Sequence, residues 1–583
     1  MIDQARKPLD YLKSFVRNSP WLAIALGLHV MVFAIMGIWY IQQDEAKKDT
    51  SDTKISVSGA KAIEQAPVIQ PPEIIERKAV PKNDNSELVS YEEDIYMPQQ
   101  AAPDPNEDLH LDRGDPTAID NLPPGATGGT SIGVGTAGGH YGTGSPSAFA
   151  GRRVGRGGKG RAGGSTVGTE KSVLEGLRWL IRHQNEDGSW ADDTLTTHCN
   201  PKTPCIAKDA KVKPFFNEGL TGLSLLCFLG QGITNESKQK IVDTAMGKQY
   251  QMGDVVKDGL KWLVERQKTH EDGRFSDLGF MYNEALSTMA LAEVYGLTRN
   301  KYWKGPAQKG VDFLVAAQKQ KPGGAGMWGW RYMSRAILDD QKAKGEIDET
   351  SHLKEIYDAD ISVTCWVVMA LKSARMAGLE VPDAALDGAL DYAKYTTGQD
   401  GLVGYQRADQ AGSKIGGPGD EFNYHVGTMS ALGMLVRTFV THDVTDPFLE
   451  LAAKQLVKDT PDVSKDLLSV DYYYWYYGTL ALYQLDGPDS PRKSGKYWGP
   501  WNKAMIASLE ELQNKSDEQD VCSRGGWLTP DRWSRDGHSI YSTAINTLTL
   551  EVYYRFENAF GVSLKDKKGG EAKADVEPGS EGK

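Results

Sequence analysis

The sequence predicts an all-α protein. Six helical hairpins close into an α6/α6 toroid, which a disordered linker joins to a single N-terminal transmembrane helix. Three observations predict this. Trp21–Ile41 is a long uncharged apolar run, the stretch after it is rich in Pro and then Gly without periodicity, and from Thr169 onward a helix–turn–helix unit recurs around Gln, Gly and Trp.

The first element is the cytoplasmic segment 1–20, followed by the membrane helix, WLAIALGLHVMVFAIMGIWYI, at 21–41. Its length suits a bilayer crossing, and Trp21, Trp39 and Tyr40 stand where interfacial aromatics belong. Arg6, Lys7, Lys13 and Arg17 precede it, and the mixed charges Asp44–Asp49 follow. The excess of basic residues on the N-terminal side places that side in the cytoplasm and everything after Ile41 outside it. The expected location is therefore the cytoplasmic (inner) membrane, single-pass, with an extracytoplasmic or periplasmic C-terminal body. His29 lies within the span, where an ionisable side chain is costly unless a partner helix satisfies it. The arrangement resembles the anchors of TonB-type energy transducers, although Ala25 stands where those anchors usually carry Ser. The resemblance implies an inner-membrane partner at His29; the alternative is a neutral His tolerated in lipid.

Residues 42–168 form the linker. Such a composition cannot bury enough apolar surface to offset its ordering entropy. As a flexible coil it would span about 60 Å. Arg152, Arg153, Arg156, Lys159 and Arg161 lie in its Gly-rich part and read as solvated linker. The net charge of −12 argues against a nucleic-acid partner. Residues 558–583 are expected to form a disordered tail.

The toroid occupies 169–557. Its first repeat carries Gly176, Trp179, Leu180, Gln184, Gly188 and Trp190. The second has Gly259, Trp262, Leu263, Gln267, Gly273 and Phe275; the third has Gly310, Phe313, Leu314, Gln318, Gly326 and Trp328. The fourth, around Tyr392, Thr397 and Gly401, is degenerate. The fifth, PFLELAAKQLVKD, lacks the turn, and the sixth regains it at Gln513, Gly525 and Trp527. A second, uniformly apolar helix follows each first helix, as buried inner helices require, while the first helices are amphipathic. The turn makes physical sense as a staple between repeats. Asp-Gly supplies a left-handed helix end, Gln bonds a neighbouring helix end, and Trp packs over the junction.

GLRWLIRHQNEDGSW is similar to the QW motif of squalene–hopene and other triterpene cyclases, whose α6/α6 barrels also occur in protein prenyltransferase β subunits. The resemblance covers Thr169–Phe556. Through DISVTCWVVMALKSARMAG, DYYYWYYGTLALYQL and YSTAINTLTLEVYYRF the chain further resembles bacterial squalene-cyclase/prenyltransferase-repeat proteins with an N-terminal membrane anchor. Two sets of site residues follow from the resemblance. The cyclases protonate substrate with the middle Asp of a D-x-D-D motif. Here Asp358 takes the first place and Asp360 the middle, while Ile361 replaces the last Asp. A strong acid needs neighbours that tune it, and there is chain for only one helical domain, so no cyclase activity is expected; the other reading of both residues is helix capping. The prenyltransferases hold zinc with Asp, Cys and His. The matching positions are Asp520, Cys522 and His538, although the family's His comes later in its chain. Apart from that zinc, no cofactor is expected.

Among the cysteines, HCNPKTPC predicts a local disulfide between Cys199 and Cys205, with a metal site that also uses His198 as the alternative. Cys227 and Cys365 read as small buried apolar residues. DYYYWYY, 471–477, puts aromatic rings on every face of an inner helix, which reads as core, with a lining for the central pit as the other use. Three function classes follow: a tethered binding or scaffold protein with an unknown ligand in the pit, a terpenoid or prenyl enzyme, and a carbohydrate-active enzyme. The first leads.

Overall fold

The computed structural model describes residues 164–555, apart from 200–203, 207–210, 244–245, 322–325, 409, 411–421, 423–424, 465, 489 and 516–521. The expected membrane helix with His29, the linker up to residue 163 and the tail lie outside the described residues. Among the described residues, no helix is long and apolar enough to cross a membrane.

Six inner helices form a closed ring: α2 (Asn217–Gly230), α4 (Met281–Thr298), α8 (Ile361–Met376), α10 (Thr428–Thr441), α12 (Tyr472–Asp486) and α14 (His538–Leu550). Each packs on the next, and α14 returns to α2. Six outer helices brace them: α1 (Val167–Arg182), α3 (Met252–Lys268), α5 (Lys301–Ala316), α9 (Asp383–Tyr395), α11 (Pro447–Leu456) and α13 (Trp498–Leu512). The toroid is therefore present. Burial follows the two patterns expected. On α8 every side chain from Ile361 to Ala374 is buried, whereas α3 buries a stripe of Val255, Val256, Gly259, Leu260, Leu263, Val264 and Gln267.

The inner helices run parallel. Near their N-termini Asn283 Nδ2 donates to the Phe215 carbonyl (2.6 Å), and the Tyr282 hydroxyl meets Ser362 Oγ (2.8 Å). At the opposite end Gln231 bonds Glu551 (3.1 Å), and Lys372 Nζ reaches His442 Nε2 (2.7 Å). The positive ends of the helix dipoles thus converge on one mouth, which favours acidic residues there. Glu218 and Glu284 lie in first turns of this mouth, and Asp360 and Asp471 are N-caps.

The junctions work as the Gln–Gly–Trp repeat suggests. Gln184 Nε2 donates to the carbonyl of Gly188 in its own turn and of Val255 on the next outer helix, both at 2.9 Å. Gln267 does the same with Gly273 and Pro306, and Gln318 with Trp328 and Ala385. Gln513 links Gly525 to Ser172 (2.8 Å), so the last outer helix is tied to the first. Gly188 has φ +94°, and a Cβ there would stand 2.4 Å from the Asp258 carbonyl carbon; only glycine fits. Trp190 Nε1 donates to the Leu180 carbonyl (2.7 Å) and Trp527 Nε1 to that of Leu509 (2.9 Å). In the third repeat Trp330, not Trp328, makes this bond, to Leu314 (2.7 Å). The longer turn shifts the register, and Trp328 packs on Tyr392 and Tyr395 instead.

Two features lie outside the all-α expectation of simple hairpins. A two-stranded antiparallel sheet, β1 (Lys240–Asp243) and β2 (Lys248–Gln251), precedes α3. It docks on α1, where Arg182 pairs with Asp243 (2.9 Å) and Arg178 Nε donates to the Val242 carbonyl. A short helical pair, α6 (Arg335–Ala343) and α7 (Glu349–Tyr357), is inserted between α5 and α8. The short remaining helix, α15 (Val552–Arg555), packs on α12 and α14.

Candidate metal centre and the mouth of the ring

His183, Cys199, Cys205 and Cys522 meet where the first hairpin adjoins the last. Their donor atoms all lie within 4.8 Å of one another, and the four residues could hold a metal ion. Cys205 Sγ is 3.4 Å from Cys522 Sγ. His183 Nε2 is 3.7, 3.6 and 3.3 Å from the sulfurs of Cys199, Cys205 and Cys522. A tetrahedral ion with M–S near 2.3 Å and M–N near 2.0–2.1 Å would set these separations at about 3.8 Å (S···S) and about 3.6 Å (S···N).

The surroundings hold the donors in place. His183 caps α1 and stacks on Trp179 (centroids 3.8 Å apart). Its Nδ1 lies 2.7 Å from the Trp179 carbonyl, an arrangement that puts the proton on Nδ1 and leaves Nε2 as the donor to a metal. The backbone N–H of Cys205 donates to Cys199 Sγ (3.4 Å). Contact between the thiols shifts them in opposite directions: the bond from Cys205 holds Cys199 far below the usual thiol range, and the same bond raises Cys205.

All five cysteines are free thiols, so the expected Cys199–Cys205 disulfide is not formed. The HCNPKTPC loop instead gives both sulfurs to this cluster. His198 is not among the clustered donors; its Nε2 lies 2.8 Å from Asn185 Oδ1, while burial lowers its pKa. Cys227 and Cys365 are buried within inner helices, as expected. Of the Asp520–Cys522–His538 set, Asp520 lies outside the described residues, Cys522 joins the cluster, and His538 Nδ1 lies 2.5 Å from buried Asp192. Sequence reasoning missed His183. The available signal was that His precedes the junction Gln in the first repeat alone, where Arg266, Ala317 and Leu512 stand in the other three.

Asp360 is a helix cap. Oδ1 accepts from Val363 N (2.8 Å) and Ser362 Oγ (2.5 Å), and Oδ2 accepts from Arg331 Nη1 (2.9 Å). Burial pushes its pKa up, against the pull of Arg331 and of the Ser362 and Val363 donors. Asp358 sits 3.3 Å from Arg331 Nε and accepts from Gln406. Around this ion pair runs an arc of half-buried rings. Phe280 packs against Phe215, Phe216, Tyr282 and Tyr332, and Arg331 lies 4.5 Å over Tyr332 and 5.3 Å over Tyr405. The rings of DYYYWYY are buried throughout, which makes that helix core.

Other carboxyls at the mouth are also structural. Glu284 accepts from Phe275 N, Ser276 N and Ser276 Oγ, and burial raises its pKa to about 7. Asp531 accepts from Tyr472 N and Ser534 Oγ, and burial followed by repulsion from Asp471 raises it to about 7. For acids with raised folded pKa, their stabilising contribution is full below the unfolded value near 4 and is lost as pH rises through 7. Thermal midpoints should therefore fall between about pH 4 and 7 and level off above that. Asp531→Asn should flatten that slope; an unchanged slope would show that Asp531 does not titrate there.

No protein-family model and no curated protein matches the chain. Solved structures similar to it include the type II terpene cyclase MstE from Scytonema: 13% identity, TM-score 0.39, covering 66% of this chain and 98% of that one. An inactive variant of an α-1,6-mannanase of Salegentibacter gives 13%, 0.38, 67% and 99%; an unsaturated glucuronyl hydrolase specific for heparin gives 14%, 0.39, 67% and 96%. Similarity at this level decides nothing about chemistry.

Proposed function

We propose that the chain is a single-pass envelope membrane protein whose toroid serves, outside the cytoplasm, as a binding or scaffold module without cyclase activity. The state of Asp360 carries this reading. A Brønsted acid for an olefin must turn a free O–H towards its substrate. Asp360 is fully buried, ion-paired to Arg331 and occupied at both oxygens. The arc of Phe280, Tyr282, Tyr332 and Tyr405 around Arg331 supplies the contact surface, since these mostly buried rings keep some exposed face for an apolar or sugar surface.

Incubating the full-length protein with squalene or oxidosqualene should return substrate alone. A cyclised product that disappears in Asp360→Asn would overturn the reading. The charge asymmetry around Trp21–Ile41 supports the topology. Protease added to spheroplasts should clip the linker, and complete protection would place the toroid inside.

A further inference from the structure

We infer that His183, Cys199, Cys205 and Cys522 bind a structural zinc ion that clasps the first hairpin of the ring to the last. Three thiolates and one imidazole make a complete tetrahedral set, the donor chemistry that selects zinc among common divalent ions. No protein ligand is missing, and a closed site of this kind is structural, not catalytic. Four of the six donor separations, 3.3–3.7 Å, come close to those an ion at the centre would impose, and all lie within 4.8 Å, although the chain positions involved are far apart. A disulfide would use two of the sulfurs and leave the third, with His183 Nε2, beside it.

The placement gives the ion its role. His183 caps α1, Cys199 and Cys205 lie on the way from α1 to α2, and Cys522 lies between α13 and α14. Cys522 and His183 are 339 positions apart in sequence. The ion would therefore reinforce the seam that Gln513–Ser172 and His538–Asp192 also cross. Other complete junctions have Arg266, Ala317 and Leu512 in place of His183, so the device belongs to the seam alone. On binding, all three cysteines enter as thiolates and those still protonated release their protons to solvent, while His183 keeps its Nδ1 proton on the Trp179 carbonyl.

The test uses the full-length protein purified in detergent. Elemental analysis should find about one zinc per chain. Cys522→Ser and His183→Ala should lose most of it, while Cys365→Ser, in the core of α8, should retain it. Should those variants fold poorly, cobalt exchanged into the unaltered protein should give the visible absorption of a tetrahedral thiolate site. A protein without metal, one holding an iron–sulfur cluster, or a Cys199–Cys205 disulfide found by mass spectrometry would overturn the assignment. Chelation should speed hydrogen exchange in α1 and α14 about tenfold or more, with little change in α9 and α11. Equal change around the ring, or none, would overturn the clasp.

Discussion

Trp190→Ala should cost the ring about 3–5 kcal/mol, the range for removing a large aromatic side chain from a packed core. Trp190 is fully buried, its indole N–H donates to Leu180, and its ring lies so close to α3 that a Cβ at Gly259 would stand 2.9 Å from it. Trp190→Phe should lose much less, because bulk is kept and about 1 kcal/mol of hydrogen bond goes. Denaturant unfolding reads both. Among the described residues the fourth junction has no Gln bridge: Thr397 Oγ1 donates back to the Ala393 carbonyl in the last turn of α9. In the fifth, the Tyr474 hydroxyl donates to the Asp459 carbonyl at the end of α11, and Tyr474 meets α13 by ring packing on Trp501 with no hydrogen bond of the Gln type. Described amides in 392–456 should therefore exchange faster than those in 173–226. A harmless Trp190→Ala together with uniform protection would mean that the repeated turn holds nothing together.

Arg331→Met should be comparably damaging, at about 3–5 kcal/mol, because it strips the counter-charge from a buried carboxylate. The Asp360 side chain has no exposed surface, and Arg331 is its nearest cation. Adding Asp360→Asn should recover much of the loss, since an amide leaves no buried charge behind. The deficit of Arg331→Met should also shrink in acid. An acid whose folded pKa is raised contributes most below its unfolded pKa and loses that contribution as pH rises. Unfolding measured from pH 4 to 8 checks this; a deficit independent of pH would show that packing on Tyr332 and Tyr405, not charge, sets the cost.

The ring was legible because its signals are local. A left-handed Gly188, a Gln184 within one turn of it and Trp190 just beyond form a pattern that a short window contains. Trp328 was taken for Trp330 where an extended turn broke the spacing, and α6 and α7 were missed because they belong to no repeat. The capping alternative for Asp360 could be read from its place before an apolar helix. Its partner Arg331 could not, because the turn that carries it lies on the far side of α6 and α7. The metal cluster was least legible. Cys522 and both cysteines of HCNPKTPC stand out in the sequence, but their spacing points each to a near neighbour, whereas Cys522 meets His183, brought alongside only when the ring closes.

That closure has a bearing on how the chain is made. Ribosomes deliver α1 and α2 first and α14 last, so the flank of α2 that packs on α14 has no partner until synthesis is nearly over. Five hairpins can assemble as an open arc from neighbour contacts of short sequence separation. The final docking joins residues more than 300 positions apart and must bear the loop-closure entropy at one step. Nascent chains stalled before Cys522 should accordingly be the ones that chaperones hold and proteases find, and release of the last hairpin should convert them to the resistant form.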